Sequence, residues 1–226
     1  MNTDLQGRTV VVTGASGLLG GHLVRAFAAH GATIAAVVPS EDEARRVVVP
    51  EGAQVWAFPA DVTAEADVRR AFDAIQGQFG RLDVLVHAVG AWESSSILET
   101  SLEAWERVLR LNLTSAFLCF REAARLMTGR TGRLVGIAAR QGADRGVADQ
   151  AAYSAAKAGL VRLVESVAAE FHGHITAHAI APSTLTKEPG SDGVSAAQIA
   201  DLCVHLCLGA GDALNGATLR AYGLDG

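Results

Sequence analysis

Tyr153 and Lys157 place a phenol and an ammonium four residues apart in the segment Gln150-Ala-Ala-Tyr-Ser-Ala-Ala-Lys-Ala-Gly-Leu-Val. The segment reads as helix, and at that spacing both side chains share one face. A neighbouring cation favours phenolate and lowers a tyrosine pKa toward neutral, which suits a proton donor or acceptor. By itself the pair is also what any solvated helix face can carry. It gains chemical meaning only if the rest of the chain builds a ligand site beside it.

Such a site is written near the N-terminus. The run Thr13-Gly-Ala-Ser-Gly-Leu-Leu-Gly20 follows a β-branched strand and opens a helix. Gly14, Gly17 and Gly20 let the backbone turn tightly and approach a pyrophosphate, with Ser16 and Leu19 as further contacts. The helix N-terminus then offers free N–H groups and a positive dipole end. At the end of the second strand an acid would bind the ribose of NAD, but the chain reads Val38-Pro39-Ser40 with no acid before Glu41. Ser40, Arg45 and Arg46 are candidates for a 2′-phosphate or simply solvated surface, and the balance leans to NADP(H) over NAD(H). Asp61-Val62 is placed to touch an adenine, although Asp61 is also a helix-capping candidate before Thr63 and Glu65.

These groups need positioning elements. Strands are expected at 8–13, 33–38, 54–58, 82–87, 133–137, 175–180 and 217–221, and helices at 18–30, 41–47, 64–79, 101–127, 150–171 and 195–208, the last opened by a Ser195/Gln198 capping box. Strict alternation with near-continuous apolar strands predicts one α/β domain over residues 1–226. Its sheet is parallel, doubly wound and Rossmann-type, with helices on both faces.

The chain has 226 residues, is 50% hydrophobic and carries a net charge of -5, with no basic stripe that would favour nucleic acid. No apolar run has the length of a membrane span, and the N-terminal segment lacks a basic-then-apolar leader pattern, so a cytoplasmic location is expected. Cys119, Cys203 and Cys207 sit in apolar helical patterns and read as core residues in a reducing compartment. His172-Gly-His174 and His205 lack the partners of a zinc signature, so no metal is expected.

Taken together, the glycine turn, Asp61-Val62, His87-Ala-Val-Gly90, Asn112, Tyr153-x-x-x-Lys157 and Ala181-Pro-Ser183 resemble the short-chain dehydrogenase/reductase family over nearly the whole chain. The resemblance implies an NAD(P)-dependent oxidoreductase on a small-molecule substrate, usually a homodimer or homotetramer. It assigns Tyr153 as acid/base, Lys157 as the group that tunes the phenol and holds the nicotinamide ribose, and Asn112 as a holder of a relay water. It also places Ala88, Gly90 and Pro182 against the cofactor. Asn112 reads alternatively as a polar residue at a helix kink.

The chain departs from this pattern in several places. Leu18 stands where the family usually has glycine. The amides that normally follow the fourth strand are replaced by His87 and Ala88, and His87 reads as structural or catalytic. The serine that normally meets the substrate oxygen falls on Ala139, fourteen residues before Tyr153, or on Ala138 if the gap is shifted by one. Arg140 or Gln141 is a candidate replacement. Alanine followed by a basic residue, and Gly90-Ala91-Trp92 after the fourth strand, resemble the quinonoid dihydropteridine reductases. Trp92, Ala139 and Arg140 are therefore candidate substrate contacts, with Trp92 able to stack on a ring or to serve as a lid aromatic. The lid is short, from Ser183 to Val194.

The leading function is hydride transfer to or from a carbonyl, quinonoid or imine carbon. The alternatives are a nucleotide-binding sensor or scaffold, and a non-redox lyase or isomerase on the same fold. Leu109, Leu113, Phe117, Phe120, Leu160 and Leu163 give two long helices more than one apolar face, which predicts self-association.

Overall fold

The computed structural model describes residues 5–188 and 193–223, and strand and helix alternate through it as the apolar pattern requires. β1 (Thr9–Thr13) leads into α1 (Leu18–Ala29), β2 (Thr33–Val38) into the single turn α2 (Glu41–Ala44), and β3 (Val55–Pro59) into α3 (Glu65–Phe79). β4 (Val84–His87) precedes α4 (Leu102–Leu109), a π-helical turn over Arg110–Thr114, and α5 (Ser115–Met127). β5 (Gly132–Ile137), a short α6 (Arg140–Ala143), α7 (Ala151–Glu170) and β6 (Ile175–Pro182) follow. The short strands β7 (Leu185–Thr186) and β8 (Val194–Ser195) pair with each other before α8 (Ala196–Cys207), a 3-10 turn over Ala210–Leu214 and β9 (Thr218–Ala221).

Seven strands form one parallel sheet in the order β3-β2-β1-β4-β5-β6-β9. The winding direction reverses between β1 and β4, so a crevice opens beyond their C-terminal ends. In the register Thr13 lies opposite both Val37 and His87, which brings the glycine turn, the end of β2 and the end of β4 to one rim. The period of two in a strand feeds two cores from one run of valines. Val10 and Val12 pack under α1 and α8, while Val11 packs under α3, α5 and α7. At the opposite rim the buried carboxylate of Asp83 accepts from Thr9 N at 2.9 Å and Arg81 Nε at 2.8 Å, tying β1 to β4.

The local expectations that rest on capping are met: Ser195 Oγ accepts from Gln198 N at 3.2 Å and Gln198 Oε1 accepts from Ser195 N at 3.0 Å. Others need correction. The helix expected over 101–127 is broken by the π-helical turn around Asn112. The polar helix expected to reach residue 47 stops at Ala44. Of the residues read as giving the two long helices more than one apolar face, Phe120 and Leu160 belong to the core face of α5 and α7 (1% and 0% exposed), while Phe117 is 44% exposed. All three cysteines are free and buried. Within the lid expected over 183–194, residues 189–192 lie outside the described residues, as does the N-terminal segment 1–4. No helix among the described residues is long and apolar enough to cross a membrane.

Candidate active site

Each glycine of the first turn has a separate geometric reason. Gly14 adopts a φ of 70°, where a side chain is strained, and a Cβ there would lie 3.2 Å from Ala88 O. A Cβ on Gly20 would fall 2.0 Å from Gly14 O, so only glycine lets α1 pack back on its own turn. Gly17 begins α1 without a side-chain cap, which leaves the first-turn N–H groups for an anion. Leu19 is buried and turns into the neighbouring cleft, while Leu18, in the place of the usual glycine, is 43% exposed.

Two connected hollows lie along the crevice. One, of about 290 Å³, is lined by Gly14, Ser16, Gly17, Val38, Asp61, Val62 and Ala88 through Gly90. The other, of about 450 Å³, is lined by Leu19, Ala88 through Gly90, Trp92, Ile137 through Ala139, Gln141, Tyr153, Lys157 and Pro182 through Leu185. Ala88, Val89 and Gly90 belong to both. The first lies at the crevice where the winding reverses, the usual ligand position in an open α/β sheet, and the second contains the Tyr153/Lys157 pair.

The structure thus brings together Gly14, Ser16, Gly17, Leu19, Asp61, Val62, Ala88, Gly90, Tyr153, Lys157 and Pro182. It does not bring Ser40 to the hollow. That hydroxyl caps α2 by accepting from Glu43 N at 3.2 Å, and Arg45 and Arg46 pair with Asp42 and Glu43 on the exposed turn. Asp61 holds its own turn, with Oδ1 accepting from Thr63 N at 2.9 Å and Thr63 Oγ1 at 2.8 Å. This is an Asx-type turn before α3 rather than its N-cap, which is Ala64.

Lys157 is buried at the wall of the cleft and donates to Ile137 O at 2.8 Å. Burial lowers its pKa to about 8. Its Nζ lies 5.8 Å from the centre of the Tyr153 ring. The sequence pattern predicts a phenol drawn down by this cation; the structure shows the reverse, because burial of Tyr153 pushes its pKa up. With the ammonium turned to a backbone carbonyl, desolvation of the phenolate outweighs attraction across that gap.

Asn112 sits in the π-helical turn with no exposure. Its Oδ1 accepts from Ala91 N at 3.2 Å, and its Nδ2 donates to Ala91 O and Val108 O at 3.0 Å each. The side chain therefore pins the loop after β4 to the π-helical turn. A Cβ on Gly90 would lie 2.6 Å from Asn112 Oδ1 and 3.0 Å from Lys157 Nζ, which explains the glycine there.

His87 is structural. Its ring is fully buried, with Nδ1 3.0 Å from Thr13 Oγ1 and Nε2 3.1 Å from Ser115 Oγ. Ser115 Oγ donates to Leu111 O and Thr13 Oγ1 accepts from Ala88 N, so the neutral ring donating through Nε2 satisfies every partner. Burial lowers its pKa to about 3. Between the ordinary value of 6.5 and about 3 the unfolded chain binds this proton and the folded chain does not. Stability should therefore fall as pH drops through that window, by up to about 1.4 kcal/mol per unit from this group. Urea midpoints at pH 7 and pH 4.5 test it. The wild type should lose distinctly more on acidification than His87→Asn, and equal losses would remove His87 from the acid limb.

Of the candidate substrate contacts, Trp92 stands at the cleft rim, 61% exposed, and Ala138 and Ala139 both line the wall with no hydrogen-bonding group. Arg140 is drawn away. Its guanidinium lies 4.3 Å over the Tyr222 ring, whose hydroxyl donates to Asp144 at 2.6 Å, and it is not part of the cleft wall. Gln141, one of the two candidate replacements for the missing serine, lines the cleft; Ile137, Thr184 and Leu185 line it too and were not among the site residues expected from sequence. Their signal was positional, since they follow the C-terminal ends of β5 and β6, where ligands of open α/β sheets bind.

The sheet order, the crevice and the glycine turn define a doubly wound dinucleotide-type domain with a Tyr/Lys pair at its cleft. A family model described as short chain dehydrogenase matches residues 8–191. Relatives include D-threitol dehydrogenase of Mycolicibacterium smegmatis, 33% identical with 82% of this chain and 73% of that protein covered. A 3-oxoacyl-[acyl-carrier-protein] reductase of Synechocystis is also 33% identical, with 82% and 77% covered. A dehydrogenase/reductase structure from Sinorhizobium meliloti superposes with a TM-score of 0.89 at 25% identity, covering 97% of this chain and 95% of that one. The chain belongs to the short-chain dehydrogenase/reductase family and is an oxidoreductase of that family.

Proposed function

We propose that the chain carries out NAD(P)(H)-dependent reduction of a carbonyl, or the reverse oxidation of an alcohol, with Tyr153 as acid/base. The observation that carries this reading is convergence: Tyr153 and Lys157 from α7 open on the same cleft as Leu19, Ala88 through Gly90 and Pro182. The cradle fits a dinucleotide, since a Cβ at Gly14, Gly20 or Gly90 would collide with the backbone or side chains that shape it. When bound, the nicotinamide supplies or takes up the hydride. The protein's part is to hold it through the α1 N-terminus and Lys157, and to exchange a proton between the Tyr153 hydroxyl and the substrate oxygen. The first turn of α2 carries Glu41, Asp42 and Glu43, and these acids together with the engaged Ser40 favour NAD(H) over NADP(H). The lean to NADP(H) taken from sequence has no unpaired cation at this turn behind it.

Titration with NADH and with NADPH by nicotinamide fluorescence, followed by turnover on ketones, quinones and dihydropterins, tests the reading. Turnover with either nucleotide supports it, with NADH expected to bind more tightly. Tight nucleotide binding without turnover on any class would favour the sensor or scaffold instead.

A second copy of the chain is the proposed partner. A groove of about 420 Å³ between α5 and α7 is lined by Phe117, Phe120, Arg121, Leu163, Val167 and Phe171, and Phe117 stands 44% exposed at its edge. Pairing of these helices with their symmetry mates would cover it. Light scattering at micromolar concentration should give at least twice the chain mass, and Phe117→Glu should reduce it; a monomer in the wild type would refute the pairing.

A further inference from the structure

Among the described residues that line the cleft, Gln141 and Thr184 carry polar side chains outside the motifs on which the family resemblance rests, and Gln141 is the longer of the two. Gln141, in α6, lines the wall next to Ala139 and Tyr153. Its Nε2 donates to Gln150 Oε1 at 3.1 Å. Gln150 is itself fixed before any ligand arrives. Its carbonyl accepts from Ser154 N at 2.8 Å at the start of α7, and it forms an isolated bridge with Ser95 in the loop after β4. The preceding Asp149 takes a left-handed φ of 58°, and its carbonyl accepts from Ser95 N at 2.7 Å. A non-glycine residue in that region persists where its surroundings hold it there. The result is a braced turn that presents Gln150 to Gln141 and so sets the direction of the Gln141 amide.

A primary amide has two N–H groups and two carbonyl lone pairs. Contact with Gln150 uses one of them, and whichever way round the two amides pair, Gln141 keeps at least one donor and one acceptor. Apart from Lys157, no charged side chain lines the cleft among the described residues. A substrate carboxylate or phosphate would therefore find no cation of its own.

We propose that Gln141, oriented by Gln150, is the specificity-determining residue of this cleft, and that it selects neutral α-hydroxy ketones and the vicinal diols they are reduced to. The amide N–H donates to the reacting oxygen, at the wall position where Ala139 offers no donor, and the amide carbonyl accepts from the neighbouring hydroxyl. This rests on the oxidoreductase reading above. In reduction the carbonyl carbon gains the hydride as the nicotinamide is oxidised, the oxygen gains the Tyr153 proton, and water reprotonates the phenol.

The test compares acetoin with butanone, which lacks the hydroxyl, using NADH and measuring kcat/KM together with nucleotide affinity. The wild type should favour acetoin by at least about 10-fold, since a site built to bind a hydroxyl rejects the analogue without it. Gln141→Leu should lower reduction of both ketones by about 10²-fold through loss of the donor to the reacting oxygen, and acetoin reduction by about a further 10-fold, with nucleotide affinity unchanged. Gln150→Leu should shift the preference the same way to a smaller extent. Ala139→Ser added to Gln141→Leu should recover reduction of both ketones without restoring the preference. No preference in the wild type, or equal losses on both ketones in Gln141→Leu, overturns the assignment of Gln141 and leaves the oxidoreductase reading standing. Nucleotide binding with no reduction of these or any other carbonyl by the wild type overturns that reading, and this proposal with it.

Discussion

Tyr153→Phe should abolish turnover while leaving nucleotide affinity close to wild type. The substitution removes one hydroxyl from the cleft and keeps the ring that packs there. General acid–base groups typically contribute about 10²–10⁴ in rate, and the loss should fall in that range or below detection. The state of the phenol sharpens the expectation. Burial raises its pKa, so without a ligand it is held as the protonated acid. Ketone reduction, which needs that proton, should proceed across neutral pH. Alcohol oxidation needs the phenolate and should climb with pH. Lys157→Ala should damage both binding and turnover, because the buried ammonium also braces Ile137 at the end of β5. With Lys157 lowered to about 8, its charge is present below that pH and is lost as pH rises through it, so nucleotide affinity should weaken on the alkaline side. Wild-type kcat in Tyr153→Phe would remove the phenol from the chemistry, and a flat affinity profile from pH 6 to pH 10 would remove the ammonium from nucleotide binding.

Gly142→Ala should be nearly as harmful to catalysis, although residue 142 is outside the cleft wall. A Cβ there would lie 2.3 Å from the Lys157 carbonyl carbon and 2.6 Å from Ala158 N, in a contact made of backbone on both sides. No flexible side chain can yield, so α6 or α7 must shift. Overpacking of this kind costs about 1–3 kcal/mol of stability. The catalytic effect should exceed that, because the displaced backbone carries Lys157 and, one turn earlier, Tyr153. A misplacement of about 1 Å typically costs on the order of 10² in rate. Gly146→Ala serves as the control, since a Cβ at Gly146 meets nothing within 4 Å. Circular dichroism with steady-state kinetics distinguishes the cases. A folded Gly142→Ala protein with wild-type kcat would show that the α6–α7 contact does not set the position of the pair.

The alternation of strands and helices, the glycine turn, the Ser195 capping box and the shared face of Tyr153 and Lys157 were legible in the sequence. Each is a local feature with a fixed period or a fixed spacing, so a short stretch of chain contains all the information. Features that sum over distant segments were decided by tertiary structure. The pKa of Tyr153 depends on how much protein surrounds it, and burial reversed the direction that spacing suggested. His87 became a neutral strut because Thr13 and Ser115, remote in sequence, supply both of its partners. Phe120 and Leu160 turn into the core while Phe117 stands exposed, because packing of α5 and α7 on the sheet sets which apolar residues of each helix are covered. Arg140 and Gln141 are adjacent in the chain and take opposite directions. One turns to Tyr222 and the other into the cleft, because a four-residue helix is too short for any periodic pattern to set its faces.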